Sequence, residues 1–363
     1  MDQARLAPDR ASVTLVVEPI PAGHRLYYVA LLVNEIRAKG GRPVVLTTTS
    51  AAESSQWAIH LGQRPPETVT QAEGKFSLHD IAAISESFGA RLTIIPNADH
   101  HLVSIIRQGW KGPGNLKLFI MRAEAAQPGP PLARMRPAKT VAKRFLICIA
   151  GLQPRVQVFA LRNPLSRRTG LLHWVADPIT FQGTSEQRDA MRQHLHAVSE
   201  DRYWLGVFGA INERKNLPLI VEAIINEPLI GLLIAGDVGP AVQAATNPLL
   251  SQFIASGGVV IQIAGPVNDL DFDSAIGAVD CVVVAQLTEG SSSIVLRAAA
   301  LGRRLVLAGA KSLRRDAASL GDQAIWVPLD VGAIRRAVQR VRLLPDPEQK
   351  IQLNNEEFLK ALT

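Results

Sequence analysis

The sequence is short of cysteine, of aromatic residues and of long apolar runs, and each shortage removes a class of protein. Its two cysteines in 363 residues, Cys148 and Cys281, both lie inside apolar runs. They read as buried core thiols rather than as a disulfide framework or a zinc site, and no metal is expected. Runs such as VTLVV, FLICIA and VVVA stop well short of the ~20 apolar residues that span a bilayer. No charged-then-apolar leader precedes a cleavage site, so the expectation is an intracellular, cytoplasmic protein. Acid is missing from one long stretch: residues 125–176 contain no Asp or Glu, while Arg134, Arg136, Lys139, Lys143, Arg144, Arg155, Arg162, Arg167 and Arg168 accumulate there. With aromatics at 5% of the chain and few of them among these cations, nucleic-acid binding is the least favoured reading, and no nucleic-acid partner is expected.

Charge is divided unequally. Residues 1–175 hold 22 Lys and Arg against 11 Asp and Glu, which leaves −4 for the remainder of a chain whose formal total is +7. A one-sign field of this kind attracts phosphate-rich partners such as an anionic membrane surface or a nucleotide, or else forms a solvated face. Trp110, in RQGWKGPG, is then either an interfacial anchor or a core residue.

What the sequence does contain is an alternation of short apolar runs with helix-period segments, the signature of α/β layers on parallel sheets. SVTLVVEPI leads into GHRLYYVALLVNEIRAKGG, where Leu26, Val29, Ala30 and Val33 share a helical face before Gly40 and Gly41. Strands are expected at RPVVLTT, RLTIIPN, LKLFIM, RFLICIA, VQVFAL and GLLHWVA, with helices near 78–88 and 136–144 and a stiff loop at QPGPPLARMRP. The alternation restarts with YWLGVFGAI, then LPLIVEAII as helix, IGLLIAGD and VVIQIAGPV as strands, LDFDSAIGAV as helix, DCVVVAQ as strand, a helix over 291–301, and RRLVLAG. This gives two doubly wound α/β domains, 1–178 and 179–345, with a C-terminal helix in 346–363 packing back on the first. An amphipathic helix from Gln187 to Val198 opens the second domain after the turn-rich 175–187.

Loops at the carboxyl ends of strands are where open α/β sheets bind ligands. FGAINERKN follows a strand and precedes a helix; Asn216 suits a helix cap, and Arg214 and Lys215 place two cations before a helix N-terminus, as a diphosphate would require. IAGDVG, IAGPVND and TEGSSS are further strand exits in the same domain. The DFD at 271–273 reads as a helix start rather than a metal site.

In this order, FGAINERKN, LLIAGDVGP, IAGPV and EGSSSIVLRAAALG resemble the second domain of the GT-B glycosyltransferases, in particular the retaining glycosyl transferases group 1 family (glycosyltransferase family 4). The resemblance covers roughly residues 200–310 and extends more weakly to PAGHRLYYVALLVNEIRAKGGRPVVLTT. It implies two Rossmann-like domains facing an interdomain cleft and transfer of a sugar from a nucleotide-sugar donor to a saccharide or lipid-linked acceptor, with retention and without metal or other cofactor. The donor side would use Gly23, Gly209, Arg214, Lys215, Pro266, Val267, Glu289, Gly290, Ser291 and Ser292. Lys215 would face the diphosphate and Glu289 the hydroxyls of the sugar. His24 would approach the phosphates or handle a proton, unless it caps or packs, and His100, His101 and Arg122 are acceptor-side candidates.

Two positions depart from the family pattern. Ala210 stands where an Arg is usual, and Arg297 where a second Glu binds ribose, turning an acceptor into a donor. Arg297 lies about 12 Å along the helix from Glu289 at 1.5 Å per residue, within reach of a diphosphate. The alternative is a catalytically silent GT-B-like sugar-binding or partner subunit. A sugar-nucleotide epimerase on the same architecture lacks its characteristic site residues here.

Overall fold

The computed structural model describes residues 11–21, 25–74, 76–123, 136–166, 170–179, 181, 183–265, 267–289, 292–347, 351 and 355–363. Among these residues the chain divides into two compact units. One runs to Arg162, resumes over 170–178 and takes back 355–363; the other holds 163–166 and the described part of 179–351.

In the first unit, β1 (Val13–Val17), α1 (Arg25–Ala38), β2 (Arg42–Thr48), α2 (Thr49–Ala52), α3 (Ser55–Leu61), β3 (Glu67–Gln71), α4 (Leu78–Ser87), β4 (Leu92–Ile95), α5 (Leu102–Gln108), β5 (Asn115–Ile120), α6 (Arg136–Gly151), β6 (Val156–Arg162) and β7 (His173–Ala176) follow in order. The strands form one parallel sheet, β3-β2-β1-β4-β5-β6-β7. Val16 pairs with both Val45 and Ile94 in register. All three side chains are buried, which is why VTLVV reads as a continuous apolar run and not as an alternating one.

The second unit has α7 (Ser185–Val198), β8 (Tyr203–Phe208), α8 (Leu217–Ile224), β9 (Ile230–Gly236), α9 (Pro240–Ala255), β10 (Val259–Ala264), α10 (Asp269–Ala278), β11 (Cys281–Gln286), α11 (Ser293–Ala300), β12 (Arg304–Gly309), α12 (Lys311–Leu320), β13 (Ala324–Val327) and α13 (Val331–Val341). Its sheet is also parallel, in the order β10-β9-β8-β11-β12-β13. The last helix, α14 (Glu356–Leu362), belongs to the first unit. Its Phe358 ring lies 4.9 Å from Phe119 and 5.5 Å from Tyr28. Strand order reverses between β1 and β4 and between β8 and β11, and these switch points are where doubly wound sheets leave a crevice at the strands' carboxyl ends.

Several sequence expectations are corrected. RFLICIA is not a strand: α6 runs through it to Gly151. Ile147 and Ala150 are buried while Val141 and Phe145 stay exposed, a helical spacing that a seven-residue apolar run does not reveal by itself. Cys148, on this helix, is only half-buried, whereas Cys281 is fully buried; both are free thiols. Helix α1 buries Tyr27, Tyr28, Leu32 and Ile36 beyond the expected face, because α14 covers a second side of it. Trp110 is in the core of the first unit, which overturns its reading as an interfacial anchor. Unread in the sequence were α2, α3, β3, α5, α9, α12, β13 and α13; α9 carries Pro248 inside the helix, a breaker on propensity. The QPGPPLARMRP loop lies outside the described residues up to Arg136. Among the described residues, no helix is long and apolar enough to cross a membrane.

Candidate functional site

The segment after β8 is built by close backbone approach. Gly209 has φ +92° and Gly236 φ +136°, and a Cβ on Gly236 would stand 2.2 Å from the Gly209 carbonyl oxygen, so only glycine fits at the end of β9. Ile211 N donates to Asp237 O at 2.7 Å and Gly239 N to Ile211 O at 3.0 Å. The chain then makes a 3₁₀ turn over Glu213–Lys215 and passes through Asn216 in the left-handed region. The Asn216 side chain does not cap α8 as its position suggests. Its Nδ2 donates instead to Ala285 O at 3.0 Å and to Arg214 O at 2.9 Å, fastening the turn to the carboxyl end of β11. Arg214 Nη1 donates to Thr288 Oγ1 at 3.3 Å.

The β8 and β11 exits, at Phe208 and Gln286, are thereby joined at the switch point. Lys215 is held there at 8% exposure, and no acidic group pairs with its ammonium among the described residues. Burial, aided by the neighbouring Arg214, pulls its pKa from 10.5 down to about 8. A cation taken out of water without a counter-charge costs several kcal/mol and favours an anion beside it.

Glu289 lies close by, but its carboxylate is already engaged. Oε1 accepts from Lys311 N at 3.0 Å and Oε2 from Ser312 N at 2.8 Å, so it caps the N-terminus of α12, where unpaired amides and the helix dipole favour negative charge. Arg315 stands 3.8 Å away. Each carboxylate oxygen keeps a second lone pair available to a hydroxyl donor. Helix α11 starts at Ser293, with Ser292 buried at the cap position and making no side-chain cap bond. Gly290 and Ser291 lie outside the described residues.

Arg297 has different partners from those the sequence suggests. It is 2% exposed, with Nη1 bonded to Asp273 Oδ1 and Nη2 to Asp269 Oδ1 at 3.2 Å, and the guanidinium lies 5.9 Å from the Phe272 ring centroid. Two carboxylates match this one cation and tie α11 to α10. DFD is therefore only partly a helix start: Asp271 N bonds to the Asn268 cap, while Asp273 is a buried ion-pair partner. The same segment supplies both charges, and an i,i+4 Asp269/Asp273 spacing opposite a helical Arg was the available sequence signal.

At the carboxyl ends of β9 and β10 there is a small cavity of about 130 Å³ lined by Gly236, Asp237, Gln243, Gln262 and Gly265. Val267 follows it, half-buried; Pro266 lies outside the described residues.

In the first unit, Gly23 and His24 lie outside the described residues, as do Arg134, Arg167 and Arg168. His100 and His101 are brought together, their rings 4.0 Å apart, and Arg122 is exposed after β5. Among the described residues, four cations of the basic tract are engaged within the unit. Lys143 pairs with Asp99 at 2.6 Å, Arg162 with Glu357 at 2.7 Å, Arg144 covers Trp174, and Arg155 donates to the Gly112 and Trp110 carbonyls. Sequence reasoning missed Glu18, an acid directly after the apolar run of β1. It is fully buried; burial pushes its pKa up to about 7, against a hydrogen bond from Ile20 N at 3.0 Å and Arg25 at 3.6 Å, which favour the charged form.

Searches of family models and of curated proteins return no match for this chain. Solved structures do resemble it. A glycosyltransferase from Rickettsia africae aligns with TM-score 0.64 and 11% identity over 92% of this chain and 88% of that one. Anabaena HepE, in complex with UDP and glucose, aligns with TM-score 0.61 and 14% identity over 91% and 89%. A putative UDP-N-acetylglucosamine 2-epimerase from Listeria monocytogenes aligns with TM-score 0.53 and 10% identity over 97% and 91%. The chain thus has the GT-B glycosyltransferase fold.

Proposed function

We propose that this protein is a glycosyltransferase that draws on a nucleotide-sugar donor held by the second unit. The observation that carries the reading is Lys215: a nearly buried ammonium without an acidic partner among the described residues, at the sheet's switch point and fastened there by Asn216. A donor diphosphate supplies the missing charge. As the glycosidic bond to the leaving nucleotide breaks, negative charge grows on that diphosphate, and a fixed cation stabilises it more than it stabilises the ground state. In this reading the cation takes the part a metal plays elsewhere, and transfer proceeds with retention. Glu289, oriented by the amides of α12, accepts hydroxyls of the sugar, and the cavity flanked by Gln243 and Gln262 takes the base. Acceptor recognition, of a saccharide or a lipid-linked saccharide, falls to the first unit.

HepE is a complex with UDP and glucose, so UDP and UDP-glucose are the first probes. Titration calorimetry should show UDP binding that Lys215→Met weakens at least tenfold, while Glu289→Gln lowers turnover with UDP-glucose more than UDP affinity. Unchanged UDP affinity in Lys215→Met overturns the placement. One observation favours a second reading, a silent partner subunit. Glu289 and Arg297, the two positions of the paired-acid motif, are both engaged inside the unit. UDP binding with no UDP release from UDP-glucose across a panel of acceptors decides for that reading.

A further inference from the structure

Outside the candidate donor site, the second unit has a larger cavity, about 360 Å³, lined by Phe181, Arg188, Asp189, Arg192, Gly277, Ala300, Leu301 and Arg303. It lies at the opposite edge of the sheet. Asp280 and Arg303 immediately precede β11 and β12, whereas Lys215 and Glu289 follow β8 and β11; a six-residue strand places those edges about 20 Å apart.

Three guanidiniums converge here. Arg192 is paired with Asp280 at 2.8 Å, and the other oxygen of Asp280 accepts from Trp204 N at 2.8 Å. Among the described residues Arg188 has one bond, from Nη1 to Gly183 O at 2.9 Å. Arg303 donates Nε to Leu301 O at 3.0 Å and Nη1 to Val279 O at 3.4 Å. Carbonyls at the C-terminal ends of α10 and α11 account for the Arg303 bonds, as cations at helix C-termini do, and the Gly183 carbonyl ahead of α7 accounts for that of Arg188. They leave donors on both side chains with no partner among the described residues. Nor is the charge balanced, since neither Arg188 nor Arg303 has a carboxylate within ion-pair distance among them.

Burial, reinforced by Arg192 and opposed by Asp280 and Asp346, holds the Arg303 pKa below its ordinary value. Gly277 is part of the construction: a Cβ there would stand 2.3 Å from Arg188 Cδ, so glycine lets the Arg188 stem cross α10 and bring its head to the cavity. A group of mutually repelling guanidiniums around a cavity of this volume, inside the range of small-molecule sites, suits a doubly charged oxyanion. The remaining lining adds a carboxylate, Asp189, which accepts hydroxyls, and an aromatic, Phe181, which covers an apolar sugar face.

We propose that this pocket binds a sugar phosphate, with the phosphate on Arg188, Arg192 and Arg303 and the hydroxyls on Asp189. The inference is independent of the donor-site reading. Its test is calorimetry on the full chain with glucose 6-phosphate, inorganic phosphate, sulfate and glucose. Glucose 6-phosphate should bind at least tenfold tighter than inorganic phosphate or sulfate, glucose should not bind, and saturating UDP should not compete. Arg188→Gln and Arg303→Gln should each weaken glucose 6-phosphate tenfold or more, with UDP affinity unchanged. Asp189→Asn should narrow the preference over inorganic phosphate.

Should Arg303→Gln fail to fold by losing its helix-end bonds, Arg188→Gln, which has a single carbonyl bond to lose, decides. Competition by UDP, or full affinity in Arg188→Gln, overturns the site. Equal binding of sulfate and glucose 6-phosphate, or no effect of Asp189→Asn, overturns the sugar phosphate as its ligand.

Discussion

Lys215 and Glu18 are displaced in opposite directions for one reason, burial, and the displacement makes each of them a handle on stability. The folded pKa of Lys215, about 8 against 10.5, means that between those values the unfolded chain binds the extra proton. Stability therefore rises with pH through that window, and below it the buried charge exerts its full penalty. At 1.36 kcal/mol per unit the penalty is about 3 kcal/mol. Lys215→Met is expected to stabilise the unliganded protein at pH 7 by about 2 kcal/mol, read by urea unfolding, while weakening UDP binding. A destabilised variant would mean that the ammonium is matched by a partner. Glu18 behaves inversely. Its pKa rises from 4.5 to about 7, so the folded state holds the extra proton, and stability present below about 4.5 is lost as pH rises towards 7. Glu18→Gln should flatten that slope and stabilise the protein at pH 7.5. Arg297 is the opposite kind of buried charge, one already matched. Arg297→Met leaves Asp269 and Asp273 without it and should cost about 3–5 kcal/mol, which Arg297→Met with Asp273→Asn should partly restore.

Helices α10, α11 and α12 are joined by side chains that a linear motif assigns elsewhere. Glu289 sits in the acidic-Gly-Ser loop ahead of α11, yet its carboxylate caps α12, 22 residues on. Glu289→Ala should therefore cost about 1 kcal/mol of stability and speed hydrogen exchange at the Lys311 and Ser312 amides. Unchanged exchange there would show that the cap is dispensable. Periodicity located most elements because their buried faces are simple. It failed at α6, where RFLICIA is too short to separate period 2 from period 3.6, and at α9, where Pro248 interrupts an already weak pattern.

Each unit of the whole molecule has its own sheet and core, so the units are expected to respond separately to perturbation. Helix α14 closes the core of the first unit although it is the last segment of the chain, with Phe358 1% exposed against Phe119 and Tyr28. Phe358→Ala should cost that unit about 3–5 kcal/mol and split thermal unfolding into two transitions. UDP should raise only the transition of the second unit; a single transition raised as a whole would show that the two melt together.

The sequence by itself determined the α/β class, two rounds of strand–helix alternation, and the chemistry available at each strand exit, because strand runs, glycines and cations are local features. FGAINERKN and the acidic-Gly-Ser loop carry that information without any knowledge of the fold. Only the tertiary structure decided how those groups are partnered. Among the described residues Lys215 is buried without a carboxylate, Arg297 is matched by Asp269 and Asp273, Glu289 is turned to α12, and Arg188 crosses Gly277 to join Arg303. Each of these depends on the distance between segments up to 115 residues apart in the chain, Arg188 and Arg303, and on the loss of water around them. Charge, burial and counter-charge are set jointly by packing, and a one-dimensional pattern specifies only the first.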